Sequence, residues 1–150
     1  EWDTIFFFIG LFMLSYGLKA VGITDLVSNV IARAYTNEIL LYTLVLWLTA
    51  IVGGFIGAVP VVTVMIPIIK TLIAVHGVPA DIWWVLSIGA CFGGSATMTG
   101  AAANMVGTAL LERHTRKATG FREYLRFAFF PTVMSLIMGN IYIIVRYGRW

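Results

Sequence analysis

Residues 82–111 read IWWVLSIGACFGGSATMTGAAANMVGTALL. No charged side chain interrupts these 30 residues. The two arms are apolar, but the centre is not. Gly93-Gly94-Ser95-Ala96-Thr97-Met98-Thr99-Gly100 is small, polar and rich in glycine. That pattern predicts a discontinuous membrane helix over 82–111. Unwound backbone at membrane depth is tolerated only where it is buried in protein or lines a cavity. Close packing of small residues against a neighbouring helix is the other reading. It accounts for the glycines and alanines, and less well for Ser95, Thr97, Thr99 and Asn104 among them.

Composition agrees that this stretch sits in lipid. The chain has 150 residues, of which 60% are hydrophobic and 11% charged, with a mean hydropathy of +0.93. A soluble domain carries about a quarter charged residues. The low figure excludes a soluble globule, a disordered tail and a disulfide-framed secreted domain. The ten Lys and Arg are too few and too spread for a nucleic-acid surface. Cys91 is the single cysteine, so no disulfide forms within the chain. The expected class is an all-α membrane protein, placed in a prokaryotic inner (plasma) membrane. Glu1-Trp2-Asp3 is not a signal-peptide start, and the missing initiator Met suggests that the natural protein starts earlier.

Before the broken helix lies a second long uncharged run, residues 39–69, with 31 residues. As one helix it would extend about 46 Å, against a hydrocarbon core of about 30 Å. Gly53-Gly54, Gly57 and Pro60 stand near its middle, where they break rather than extend a helix. The arms, Ile39–Val52 and Val59–Ile69, have 14 and 11 residues, too few to cross alone. The economical reading is a re-entrant helical hairpin with its tip at Gly53–Pro60. A single kinked helix is the alternative.

The charged clumps mark the remaining boundaries. Residues 4–37 read as a span followed by a short interfacial helix, with Leu26, Val30, Ile31 and Ala34 on one face. His76-Gly77-Val78-Pro79 is turn chemistry in a loop. Residues 112–126 hold Arg113, Arg116, Lys117, Arg122 and Arg126 and read as an interfacial connector. Residues 127–145 make the final span, with Pro131 in its first turn and Tyr142, Tyr147 and Trp150 as an aromatic belt.

Two interrupted uncharged segments are the sequence pointer to a transport site. A broken helix frees backbone groups; a cation suits freed carbonyls and an anion suits freed N–H groups. Pro60 would begin the second hairpin arm, and Asn104 would stand just after the second break. Ser95, Thr97 and Thr63 supply neutral oxygens. No Asp, Glu, Lys or Arg lies inside the long uncharged runs, so no intramembrane carboxylate is available for a proton relay. His76 and His114 read as isolated loop residues rather than metal ligands. No nucleophile lies beside a base, so an enzyme is not expected.

The residues also resemble a known family. Glu1 to Gly10 with Leu11-Phe12, Gly17-Leu18 and Val21-Gly22-Ile23, then Val59-Pro60 and Met65-Ile66-Pro67, carry part of the likeness. Trp83-Trp84, Gly89-Ala90-Cys91 and Gly93 to Asn104 carry the most specific part. Glu112-Arg113 and Phe121 to Leu125 complete it. Together they resemble the ion-transporter superfamily, closest to its arsenite-permease and NhaD-type sodium–proton antiporter (P protein-like) branch.

The resemblance implies one inverted repeat, like the C-terminal half, of a two-repeat secondary transporter of a small ion. Site residues would be Gly93, Gly94, Ser95, Thr97 and Asn104 on the broken helix, and Gly53, Gly54, Pro60 and Thr63 on the hairpin. Ser95, Thr97 and Asn104 would form a Na+ site, with Na+ as the coupling ion and no other cofactor. The chain departs from that branch at the tip. Gly57, Ala58 and Val62 replace its usual Asp-Asn pair and threonine, which removes the aspartate used for proton coupling. That favours a sodium-coupled anion carrier or a neutral arsenite-like path more than the intact pair would, and a direct copy of the antiporter mechanism less.

The charges split five against five across the bilayer, so the positive-inside rule assigns no orientation. Two oppositely inserted copies could rebuild an inverted-repeat pair; a missing N-terminal half is the alternative partner. A non-transporting membrane subunit and a passive channel are the competing functions.

Overall fold

In the computed structural model the described residues are 2–33, 37–115 and 119–148. Glu1, Ala34, Arg116, Lys117, Arg149 and Trp150 therefore lie outside the described residues. The described residues form seven helices: α1 (Trp2–Ala20), α2 (Ile23–Arg33), α3 (Glu38–Ile56), α4 (Ala58–His76), α5 (Ile82–Gly94), α6 (Ala102–Thr115) and α7 (Phe121–Tyr147). Among the described residues, α3, α4 and α7 are each long and apolar enough to cross a membrane. The bent pair α1 and α2, turned by 69°, would make a fourth crossing if counted as one span. The chain is an all-α membrane protein.

The core is built on α3. Its Leu41, Tyr42, Val45, Leu46, Thr49 and Ala50 recur at helical spacing and are all buried. They face α5, whose glycines let the backbones close up. A Cβ on Gly89 would stand 2.8 Å from the Leu46 carbonyl oxygen, and one on Gly93 would collide with the Ala50 backbone. Lipid supplies no hydrophobic drive between helices, so such close small-residue packing holds them. Gly89 and Gly93 thus serve packing. Ile68, Ile69 and Leu72 of α4 and Leu136 and Ile143 of α7 complete the core. Phe6, Phe7, Phe12 and Met13 of α1 and Phe127, Phe130 and Met138 of α7 are exposed, as lipid-facing side chains should be.

Several element boundaries differ from the sequence reading. The break in residues 39–69 is one residue, Gly57, at φ +109°. A left-handed backbone there needs glycine. Gly53 and Gly54 stay inside α3, and Pro60 sits in the first turn of α4, where its missing N–H costs nothing. The arms are therefore 19 residues each, not 14 and 11. Each would run about 28 Å and could cross by length. Lys70 interrupts the apolar run without interrupting α4.

The stretch 112–126 is likewise not a separate connector. Its first residues extend α6, and its last begin the 27-residue α7. Glu, Arg and Leu are good helix formers, so charge ended the apolar pattern but not the helices. Pro131 consequently lies in the interior of α7.

Two further placements differ. On α2, Ile31 is buried with Thr24 and Ser28 against α4, while Leu26 and Val30 are exposed, so they do not share one packed face. His76 is not in a loop. It ends α4, and its Nε2 lies 3.1 Å from the Asn29 side-chain oxygen. His114 sits in the last turn of α6.

Candidate functional site: two helix breaks joined back to back

The break between α3 and α4 and the break between α5 and α6 meet. Residues 95–101 separate α5 from α6. The Ala58 N–H, first in α4, donates to the Gly100 carbonyl at 3.1 Å. The Thr97 hydroxyl, buried at 4% exposure, donates to the Gly54 carbonyl in the last turn of α3. Glycine makes both approaches possible. A Cβ on Gly54 would lie 3.2 Å from the Gly93 carbonyl oxygen, and one on Gly94 3.1 Å from the Gly100 carbonyl oxygen.

Asn104 holds the unwound segment from below. Its Nδ2 donates to the Gly94 carbonyl and to the Thr97 carbonyl, each at 2.9 Å. Both neighbours are acceptors only, so the amide must turn its NH2 group toward them. Thr108 hydroxyl donates to the Asn104 and Met105 carbonyls at 2.9 Å. From α7, the Tyr124 hydroxyl donates to the Ser95 carbonyl at 3.4 Å. Carbonyls of Gly54, Gly94, Ser95, Thr97 and Gly100 therefore all have protein donors.

Of the residues expected at the site, Gly54, Gly94, Thr97 and Asn104 come together here, and Gly93 packs beside them. Others do not join them. The Ser95 hydroxyl turns back to the Cys91 carbonyl at 3.2 Å and is exposed. Gly53 serves only as acceptor for the Gly57 N–H. Pro60 lines an apolar cleft between α3 and α4 with Leu48, Val52 and Met65.

Thr63 has a separate explanation. Pro67 has no N–H to give the carbonyl four residues before it, which is that of Thr63. Ser15 of α1 donates its hydroxyl there instead, at 2.9 Å. The Thr63 hydroxyl bonds back to the Val59 carbonyl.

The expected Na+ trio also changes. Ser95, Thr97 and Asn104 do not converge as oxygen ligands: one hydroxyl points away, one is committed to Gly54, and the amide presents nitrogen. Among the described residues, no group of three or more His, Cys, Asp or Glu could hold a metal ion. Sequence reasoning left Ala58, Gly100 and Tyr124 off the site. The first two act through backbone, which no side chain announces.

Two cavities flank the joint. One of about 300 Å³ lies between α3 and α7, walled by Ala50, Gly54, Gly93 and Thr97 against Phe121, Leu125 and Phe129. Another of about 460 Å³ lies between α6 and α7, walled by Asn104, Gly107, Thr108, Thr119, Tyr124 and Phe127. Both are mainly apolar, with Thr97 and Thr132 in the first and Thr108, Thr119 and Tyr124 in the second.

Comparison with known proteins adds the following. The family described as citrate transporter matches residues 1–89. An uncharacterised transporter of Mycobacterium tuberculosis is 35% identical over 98% of this chain and 35% of its own length. The 46 kDa membrane protein of Mycobacterium leprae is 36% identical, with the same coverage. The human P protein is 31% identical over 97% of this chain and 18% of its own length. The chain thus spans about a third of the mycobacterial relatives. No solved structure matches it.

Proposed function

Since the chain belongs to the citrate transporter family of the ion-transporter superfamily, membrane transporters rather than enzymes, we propose that it carries out secondary active transport of a small anion at the joined breaks. One observation carries this reading: the two helix breaks are bonded to each other through Ala58–Gly100 and Thr97–Gly54. The carbonyls freed there already have protein donors. The N-terminus of α6 opens onto the unwound segment, with the Asn104 N–H on the Ala101 carbonyl at 3.1 Å, and helix-terminal N–H groups favour an anion. A carboxylate such as citrate is the first substrate to test.

The chain works with a second repeat, either in a longer protein or as an oppositely inserted copy. The short coverage of its relatives supports this. Mycobacterial relatives support a prokaryotic plasma membrane. If Na+ is the coupling ion, it enters where the Asn104 amide now bridges the Gly94 and Thr97 carbonyls, and the amide moves aside.

Uptake of labelled citrate into proteoliposomes tests the reading. Ion-gradient-dependent uptake is expected, with loss of at least tenfold in Asn104→Ala and Thr97→Val. Undiminished uptake in both variants places the site elsewhere. A second reading, a non-transporting membrane subunit, is favoured by the apolar tip residues Gly57, Ala58 and Val62. It predicts stable association with another membrane chain and no flux under any gradient.

A further inference from the structure

The 460 Å³ cavity between α6 and α7 is not explained by packing. Helix α6 is barely covered; of its residues only Thr108 is buried. Its flank facing α7 is nonetheless hollow, and it is lined by the same Asn104 that holds the broken segment. The cavity wall includes the Thr108 hydroxyl, Thr119 and the Tyr124 ring. Charged residues follow in sequence on both helices: Glu112, Arg113 and His114 end α6, and Arg122, Glu123 and Arg126 begin α7. Glu112 is engaged, accepting the Thr119 N–H at 2.8 Å. Three arginines against Glu112 and Glu123 leave this end basic among the described residues.

Tyr124 is the link between cavity and break. Its hydroxyl reaches the Ser95 carbonyl at 3.4 Å, whereas an O–H···O bond is ordinarily about 2.7–2.8 Å. So long a bond is given up at little cost when a better acceptor arrives. A carboxylate oxygen is such an acceptor, and its bonds to neutral donors are about twice as strong as neutral pairs. Asn104 cannot compete for the anion, because both its N–H groups are committed to carbonyls.

We propose that the α6–α7 cavity is the vestibule through which a small carboxylate reaches the unwound segment, and that Tyr124 is the specificity-determining residue that receives it. The inference rests on the anion-transport reading above and adds a route and a residue to it. The carboxylate enters between α6 and α7 from their basic end, accepts a hydrogen bond from the Tyr124 hydroxyl, and thereby frees the Ser95 carbonyl from α7. The unwound segment then loses its tie to α7 only when substrate is present.

The test uses the purified protein in proteoliposomes, in a Cys91→Ser background. Gly107→Cys is the reporter, since a Cβ there meets nothing within 4 Å. Gly17→Cys on α1, equally open, is the control. A negatively charged, water-soluble thiosulfonate reagent should modify Gly107→Cys and not Gly17→Cys. Saturating citrate should slow that modification at least fivefold. Tyr124→Phe should raise the KM for citrate about tenfold with Vmax within about twofold, the scale of one lost hydrogen bond to a charged group. It should also abolish the citrate protection at Gly107→Cys at wild-type half-saturating concentration.

A Gly107→Cys protein reached only by an apolar maleimide, or by neither reagent, overturns the vestibule, because the cavity then holds lipid or protein. Labelling without citrate protection overturns it too, whether or not the wild type transports. Tyr124→Phe with unchanged KM and intact protection removes Tyr124 from the role. Failure of the transport reading looks different: the wild type shows no gradient-dependent uptake at all.

Discussion

At the scale of single residues, Asn104 and Thr97 carry different loads. Asn104→Ala removes two hydrogen bonds and strands the Gly94 and Thr97 carbonyls, at about 1–3 kcal/mol per stranded group. Asn104→Asp keeps the size but presents oxygen to two carbonyls, so it should fold no better than Asn104→Ala. Thermal unfolding in detergent checks this, with both variants expected below the wild type. Gly93→Ala should lower the midpoint further than Gly107→Ala, because its methyl collides with the Ala50 backbone while Gly107 faces open space. Overpacking of this kind costs about 1–3 kcal/mol. Equal midpoints would mean that α3 and α5 separate freely at that point.

At the scale of elements, the sequence was legible where a residue type forces a backbone state. The glycine-rich centre of 82–111 announced a helix break, and the structure has one at 95–101. Gly57 lay within the expected tip. What misled was the use of charge as a boundary. Lys70, Glu112 and Arg122 all sit within helices, since charge marks the edge of lipid and helix propensity is indifferent to it.

Thr63 was read as a neutral oxygen near the site because only spacing was visible. Its true role needs Pro67 and the distant Ser15 together. Ser15→Ala should therefore weaken the α1–α4 contact by about 1 kcal/mol. Pairing it with Pro67→Ala should restore that loss, since the new N–H at residue 67 satisfies the Thr63 carbonyl. A double-mutant cycle on unfolding free energy reads the coupling. Simple additivity would show that the Ser15 bond owes nothing to the proline.

At the scale of the whole molecule, the low charge count identified the medium, and the apolar α1 and α7 surfaces agree with it. What packs over the joined breaks was not legible, because the sequence specifies this chain's own helices and not what covers them. If two copies of this chain make the transporter, they insert oppositely. An impermeant reagent should then reach tags on each terminus from both faces of the membrane. One orientation alone means that the second repeat belongs to a longer protein.

The bond from the Ala58 N–H to the Gly100 carbonyl belongs to no side chain. Every residue except proline supplies the same donor at position 58, but only glycine fits at position 100, where any Cβ would collide with the Gly94 backbone. The joint between the two helix breaks is thus written in glycine and backbone rather than in polar side chains. Polar groups at the tip can drift away, as at Gly57, Ala58 and Val62, without loosening it. A proline at 58, or any side chain at 100, even the methyl of alanine, would cut it. Polar side chains around the joint are therefore free to change, while the glycine at 100 is not.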